Sequence, residues 1–209
     1  SRLIAGAEAV YGKEGLHRSV GEIIAVDSDR VIEAADSYRF MLGNRELLVI
    51  DTPGHARHHF CIWDDTSKGF FTGDTFGLAY PELECDGRSF IFPPTTPVQF
   101  DPPAWHASID RLMAMHPERM YLTHFGQLDE PVLYVNDLHR RIDELAVLAL
   151  DHGNSADDLA AAVKIYVNVE LDRHGSRLDA EQLGQVLDLD IDLIIQGLQV
   201  WLSRQPDSA

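Results

Sequence analysis

Three residues stand where a metal ligand would be useful: His55 after LLVIDTPG, Asp74 after GFFTG, and His124 after MYLT. Each follows a short apolar run that reads as a strand, with a small residue close by: Gly54, Gly73 and Thr123. Strand ends are rigid, and small neighbours let the backbone turn so that a side chain projects from the sheet edge. Two imidazoles and a carboxylate held this way suit a hydrolytic zinc or iron site. His58 and His59 crowd beside His55, but neighbouring strand residues face opposite sides, so the three cannot all hold one ion. His55, at the strand end, is the expected ligand, and His58 or His59 the supporting donor or a packed ring. His17, His106, His116, His139, His152 and His174 read as structural or surface residues without ligand-like company.

The elements that must position these residues are legible in outline. Residues 1–21 read as helical turns interrupted by Gly12 and Gly15. From 22 to 74 the pattern is β-like: GEIIAV and RVIEAA are β-branched runs, followed by two hairpins. YRFML and ELLVI flank Gly43 and Asn44; HFCIW and GFFTG flank residues 64–68. Folding back the second hairpin brings Asp74 towards His55. Residues 77–103 are rich in proline and aromatics, which excludes a regular helix, and so long a loop commonly walls a site. Its Tyr80, Phe90, Phe92 and Phe100 either contact substrate or pack the loop down. Residues 104–115 have helical spacing, and 120–123 read as a buried strand.

Beyond His124 the chain reads as all-helical: a long helix over 133–150, a second started by Ser155 and Asp158 and ended by Gly175, then a segment capped by Asp179 and Gln182. Residues 181–204 have the outline of two helices across a short turn, but their acidic residues argue against DNA. Asp188, Asp190 and Asp192 begin like a calcium loop, yet Leu193 and Gln199 occupy its sixth and twelfth positions, so that reading fails. A boundary near Gly153 divides a domain over 1–153 from a helical extension over 154–209.

Thirty-four acidic residues against seventeen basic give a formal net charge of −17 in 209 residues. No basic cluster offsets it, which argues against nucleic acid and anionic membrane as partners. With no membrane-span run and no signal-type segment, a cytoplasmic protein is expected. Cys61 and Cys85 are expected as reduced thiols.

The strings Thr52-Pro53-Gly54-His55 with His59, Phe71-Thr72-Gly73-Asp74-Thr75, and Thr123-His124 resemble the metallo-β-lactamase fold superfamily, which includes glyoxalase II and RNase Z. The resemblance covers about residues 20–126. It implies an α/β (α+β) architecture, the αββα sandwich of two mixed sheets with helices outside and metals at one edge. It implies two divalent ions, zinc with iron or manganese as alternatives: His55 on the first, Asp74 bridging both, His124 on the second. His59, Thr75 and Tyr80 would support the ligands or line the pocket. The family's H-x-H-x-D-H ligand loop is absent from these residues. The expectation is therefore the C-terminal part of such a fold, incomplete at its N-terminus, with the remaining half on the same or a companion chain.

Two ions about 3.5 to 4 Å apart lower the pKa of bound water towards about 7, supplying a metal-bound hydroxide as nucleophile. Asp74, with two oxygens and a negative charge, suits the catalytic bridge. The leading reading is a metal-dependent hydrolase of a small-molecule ester, thioester or lactone, active in the full-length protein. This chain alone is expected to be inactive, since two ligands per ion fall short of the usual three. Two other readings stand beside it: a mononuclear iron persulfide dioxygenase of the same fold, and a non-catalytic fragment that binds a partner. The C-terminal helices offer a homodimer contact.

Overall fold

The computed structural model describes residues 4–5, 12–18, 21–95, 99–124 and 126–205. They fall into two compact units, residues 1–34 and residues 35–209. In the first, residues 12–18 are one helical stretch that runs through Gly15, contrary to the interruption expected there. The expected turns over 1–3, 6–11 and 19–20 lie outside the described residues.

GEIIAV and RVIEAA form no strand: residues 21–27 and 31–35 have no regular structure, and a 3-10 turn, Ser28–Arg30, separates them. A strand exists only where a neighbour takes up its N–H and C=O groups. Here the backbone bonds of Arg30 and Val31 are local, to Asp27 and Ser28. Ile24 and Ile32 are 80% and 70% exposed, so β-branched composition without a pairing partner does not make a strand.

The second unit is built on one six-stranded sheet in chain order, β1 (Arg39–Leu42), β2 (Arg45–Asp51), β3 (Phe60–Asp64), β4 (Gly69–Gly73), β5 (Arg119–Leu122) and β6 (Gly126–Asp129). Both expected hairpins form, β1–β2 across Gly43–Asn44 and β3–β4 across residues 65–68. Strands β2, β3 and β4 alternate in direction, whereas β5 lies parallel to β4. Hence β2, β4 and β5 all run the same way, and their C-terminal ends share one edge.

The parallel pair requires a crossover, supplied by the 77–101 segment and helix α1 (Pro102–Met113). Pro102 and Pro103 were expected to exclude helix, yet they form its first turn, where a missing N–H costs nothing. Asp101 caps the turn, accepting from the Ala104 N–H. Leu48, Trp63, Phe70, Met120 and Leu128 stand in register across one sheet face and join Trp105, Ile109 and Leu112 of α1 in the core. The opposite face leaves Phe60 and Phe71 45% and 46% exposed.

Helices α2 (Val135–His152), α3 (Ala156–His174) and α4 (Ala180–Leu202) complete the unit. Leu138, Ile142, Leu145 and Ala149 form the three- and four-residue apolar spacing by which α2 enters the common core. Ser155 caps α3, and Asp179 with Gln182 forms a full capping box on α4. The expected turn within 181–204 is absent: α4 is one continuous helix of 23 residues, because no proline or unpaired loop interrupts it. Among the described residues no helix is long and apolar enough to cross a membrane.

Candidate metal centre

His55, Asp74 and His124 lie just past the C-terminal ends of β2, β4 and β5, and that shared edge brings them together. Asp74 stands between the two histidines. Its Oδ2 is 3.4 Å from His55 Nε2, and its Oδ1 is 3.6 Å from His124 Nε2. His124 is half exposed, whereas His55 is buried.

The turn carrying His55 is held by α1. Ser108 donates to the Pro53 carbonyl at 2.6 Å, and the Asp101 N–H donates to the Gly54 carbonyl. Gly54 has φ +134°, and a Cβ there would strike the Trp105 backbone, so only glycine fits the close approach. The Trp105 ring meets His55 edge-on at 5.6 Å between centroids. Its indole N–H donates to the Thr75 carbonyl at 2.6 Å, tying α1 to the loops that carry His55 and Asp74.

Hydrogen bonding sets the ring chemistry. His55 Nδ1 is 2.8 Å from the Pro94 carbonyl, which can only accept, so Nδ1 carries the proton and Nε2 faces Asp74. A carbonyl behind a ligating histidine is the usual way its tautomer is fixed. His59 also lies within the cluster: one ligand atom each from His55, His59 and Asp74 lie within 4.8 Å of one another. Its nitrogens are engaged, however. Nε2 accepts from the Asp74 backbone N–H at 3.2 Å, and Nδ1 therefore donates to Thr75 Oγ1 at 3.1 Å. We therefore read His59 as a support for Asp74 rather than a ligand. Burial first, then the neighbouring His55, holds its imidazole down at about 4, so it stays neutral near pH 7.

Thr75 was expected among the residues that support the ligands or line the pocket. Its hydroxyl meets His59 and Thr52, the latter at 3.2 Å, and so reaches Asp74 through the His59 ring. Gly73, at φ +50°, leaves room for that ring, since a Cβ there would collide with His59. His58 is exposed. Tyr80 donates to Asp190 Oδ2 of α4 at 2.6 Å, which anchors the loop to the helix. Phe90, Phe92 and Phe100 are buried in the core, deciding for packing over substrate contact.

Burial raises the Asp74 carboxyl, but His55, then His124 and His59, outweigh it and hold the group below the ordinary carboxylate range. Asp74 Oδ1 is buried without a hydrogen-bond partner, the one such side-chain atom among the described residues. A buried, orphaned carboxylate oxygen beside an imidazole nitrogen is what a cation would complete, so these residues fit a metal. The Pro94 carbonyl, Trp105 and Ser108 were not singled out from sequence; only Gly54, beside His55, hinted at a close backbone approach.

The chain belongs to the metallo-beta-lactamase superfamily: residues 5–124, more than half of it, match that family's model. It is 31% identical over 124 residues to the metallo-beta-lactamase fold-containing protein ST1585 of Sulfurisphaera tokodaii, covering 59% of this chain and 41% of that protein. Among solved structures it is similar to an archaeal metallo-beta-lactamase superfamily protein, ST1585 from Sulfolobus tokodaii. There the TM-score is 0.54 at 24% identity, over 95% of this chain and 62% of the other. It is also similar to the family protein TTHA1429 from Thermus thermophilus, with TM-score 0.50 at 14% identity, over 81% of this chain and 48% of that one. The fold is thus the mixed α/β one expected, and the chain spans less than two thirds of these relatives.

Proposed function

We propose that the whole protein is a metal-dependent hydrolase of a small-molecule ester, thioester or lactone. The carrying observation is that the two oxygens of Asp74 face different histidines, one of them a buried oxygen with no hydrogen-bond partner. On this reading His55 and Asp74 contribute to one divalent ion, and Asp74 and His124 to a second, zinc in the first instance. Bound there, such ions would supply an activated water and polarise a substrate carbonyl. The chain's own residues keep the ligands in place. Pro94 holds His55 Nε2 towards Asp74, His59 holds the Asp74 backbone, and Trp105 shields the buried side of the cluster.

The remaining ligands belong, on this proposal, to the other half of the fold. The uncovered Phe60 and Phe71 are the surface a second sheet of the sandwich would take. Metal analysis and initial rates on ester, thioester and lactone substrates test the reading in the whole protein and in residues 1–209 alone. The whole protein should bind two ions and turn over, and Asp74→Asn should abolish turnover and lose at least one ion. The 209-residue chain should bind metal weakly and not turn over. Two-metal binding with turnover by that chain alone, or an active Asp74→Asn protein, would overturn it.

A further inference from the structure

Away from that centre, α1 and α2 carry the same short string: His106-x-x-x-Asp110 on one, His139-x-x-x-Asp143 on the other. The two strings cross. His106 Nε2 is 2.7 Å from Asp143 Oδ1, and His139 Nε2 is 3.2 Å from Asp110 Oδ1, so each ring is held by the other helix's carboxylate. A carboxylate there fixes the proton on Nε2 and leaves Nδ1 as the ring's lone-pair nitrogen. The two Nδ1 atoms then point at each other, 2.5 Å apart, with ring planes only 24° from parallel and centroids 4.8 Å apart.

Two lone pairs hold such a contact only with a proton or a metal cation between them. We propose that His106 and His139 form a second metal site, taking one borderline divalent ion such as Zn²⁺, Ni²⁺ or Cu²⁺ through their Nδ1 atoms. Imidazole is the preferred ligand of these ions, and a carboxylate on the far ring nitrogen is the arrangement that raises its basicity. Zinc–nitrogen bonds of about 2.0–2.1 Å place tetrahedral ligand atoms about 3.3 Å apart, so the rings must part by under about 1 Å. Both side chains retain about a quarter of their exposure, 24% and 23%, which gives room for that movement and for water in the remaining positions. The ion would clasp α1 to α2, the two helices that carry the four residues.

The test is equilibrium dialysis of the whole protein against Zn²⁺ alone, comparing wild type, His106→Ala, His139→Ala, Asp74→Asn and the double Asp110→Asn/Asp143→Asn variant. Each histidine variant should bind one ion fewer per chain while the ions at the Asp74 centre remain. The asparagine variant, which keeps both ligands, should weaken that one ion by about tenfold or more, and it decides the matter if the alanine variants fail to fold. Unchanged zinc content and affinity across these variants, or loss of all zinc in Asp74→Asn, would show that the pair holds a proton only.

Discussion

Glu170 on α3 is 1% exposed and takes three guanidinium groups: Arg140 Nη2 at 2.6 Å, Arg173 Nη1 at 2.8 Å and Arg141 Nε at 3.1 Å. Arg140 and Arg173 are 36% and 66% exposed, so solvent screens most of what they contribute. Arg141 is 5% exposed, and it decides the energetics. It lies over the Phe90 ring and donates to the Ile91 carbonyl, three residues before the Pro94 carbonyl that orients His55. Glu170→Gln keeps the shape, removes the negative charge and leaves Arg141 buried without its counter-ion. Breaking a buried pair from one side costs about 3–5 kcal/mol. At about 2–4 °C per kcal/mol for a unit of this size, the melting temperature at pH 7 should fall by about 6–20 °C. Burial raises the Glu170 carboxyl, but Arg140, then Arg141 and Arg173, outweigh it and hold it at about 2, below its ordinary 4.5. A depressed carboxylate contributes stability above its unfolded value that is lost as pH falls through the folded one. The gap between wild type and variant should therefore be full above pH 4.5 and close towards pH 2. Thermal unfolding followed by circular dichroism from pH 7 to 2 measures both. A shift under about 2 °C at pH 7, or a gap that does not narrow in acid, would refute the account.

Two further outcomes follow from the site and its neighbours. Gly73→Ala should push the His59 ring off the Asp74 backbone and weaken metal binding by about tenfold or more, measured by zinc titration; unaltered affinity would return His59 to a bystander. Cys61 is fully buried with its thiol pushed up to about 11 by burial, while Cys85 is half-buried and both are free. Ellman's reagent should label Cys85 in the native protein and reach Cys61 only on unfolding, and equal native rates would contradict the packing.

The hairpins and the clustering of His55, Asp74 and His124 were legible because their signals are local: apolar runs, turn residues, and a His or Asp within a few residues of a strand's end. The capping box at Asp179 and Gln182 was legible for the same reason. What escaped depends on partners far along the chain. GEIIAV has the composition of a strand, but pairing is a property of neighbours. Pro102 and Pro103 read as helix breakers until their place in the first turn is known. The Pro94 carbonyl sits 39 residues from His55 and is a backbone group, which no residue type announces. The crossed His106 and His139 strings are each unremarkable alone, and only the packing of α1 on α2 joins them.

The strand order also divides the centre between local and non-local pairings. β2, β3 and β4 are consecutive and antiparallel, so short loop closures bring His55 beside Asp74. His124 depends on the parallel pairing of β5 with β4, which lies beyond a long crossover that includes α1. Non-local pairings of that kind form slowly. Half of the candidate centre therefore rests on a local meander, and the other half on the one parallel, non-local pairing in the sheet.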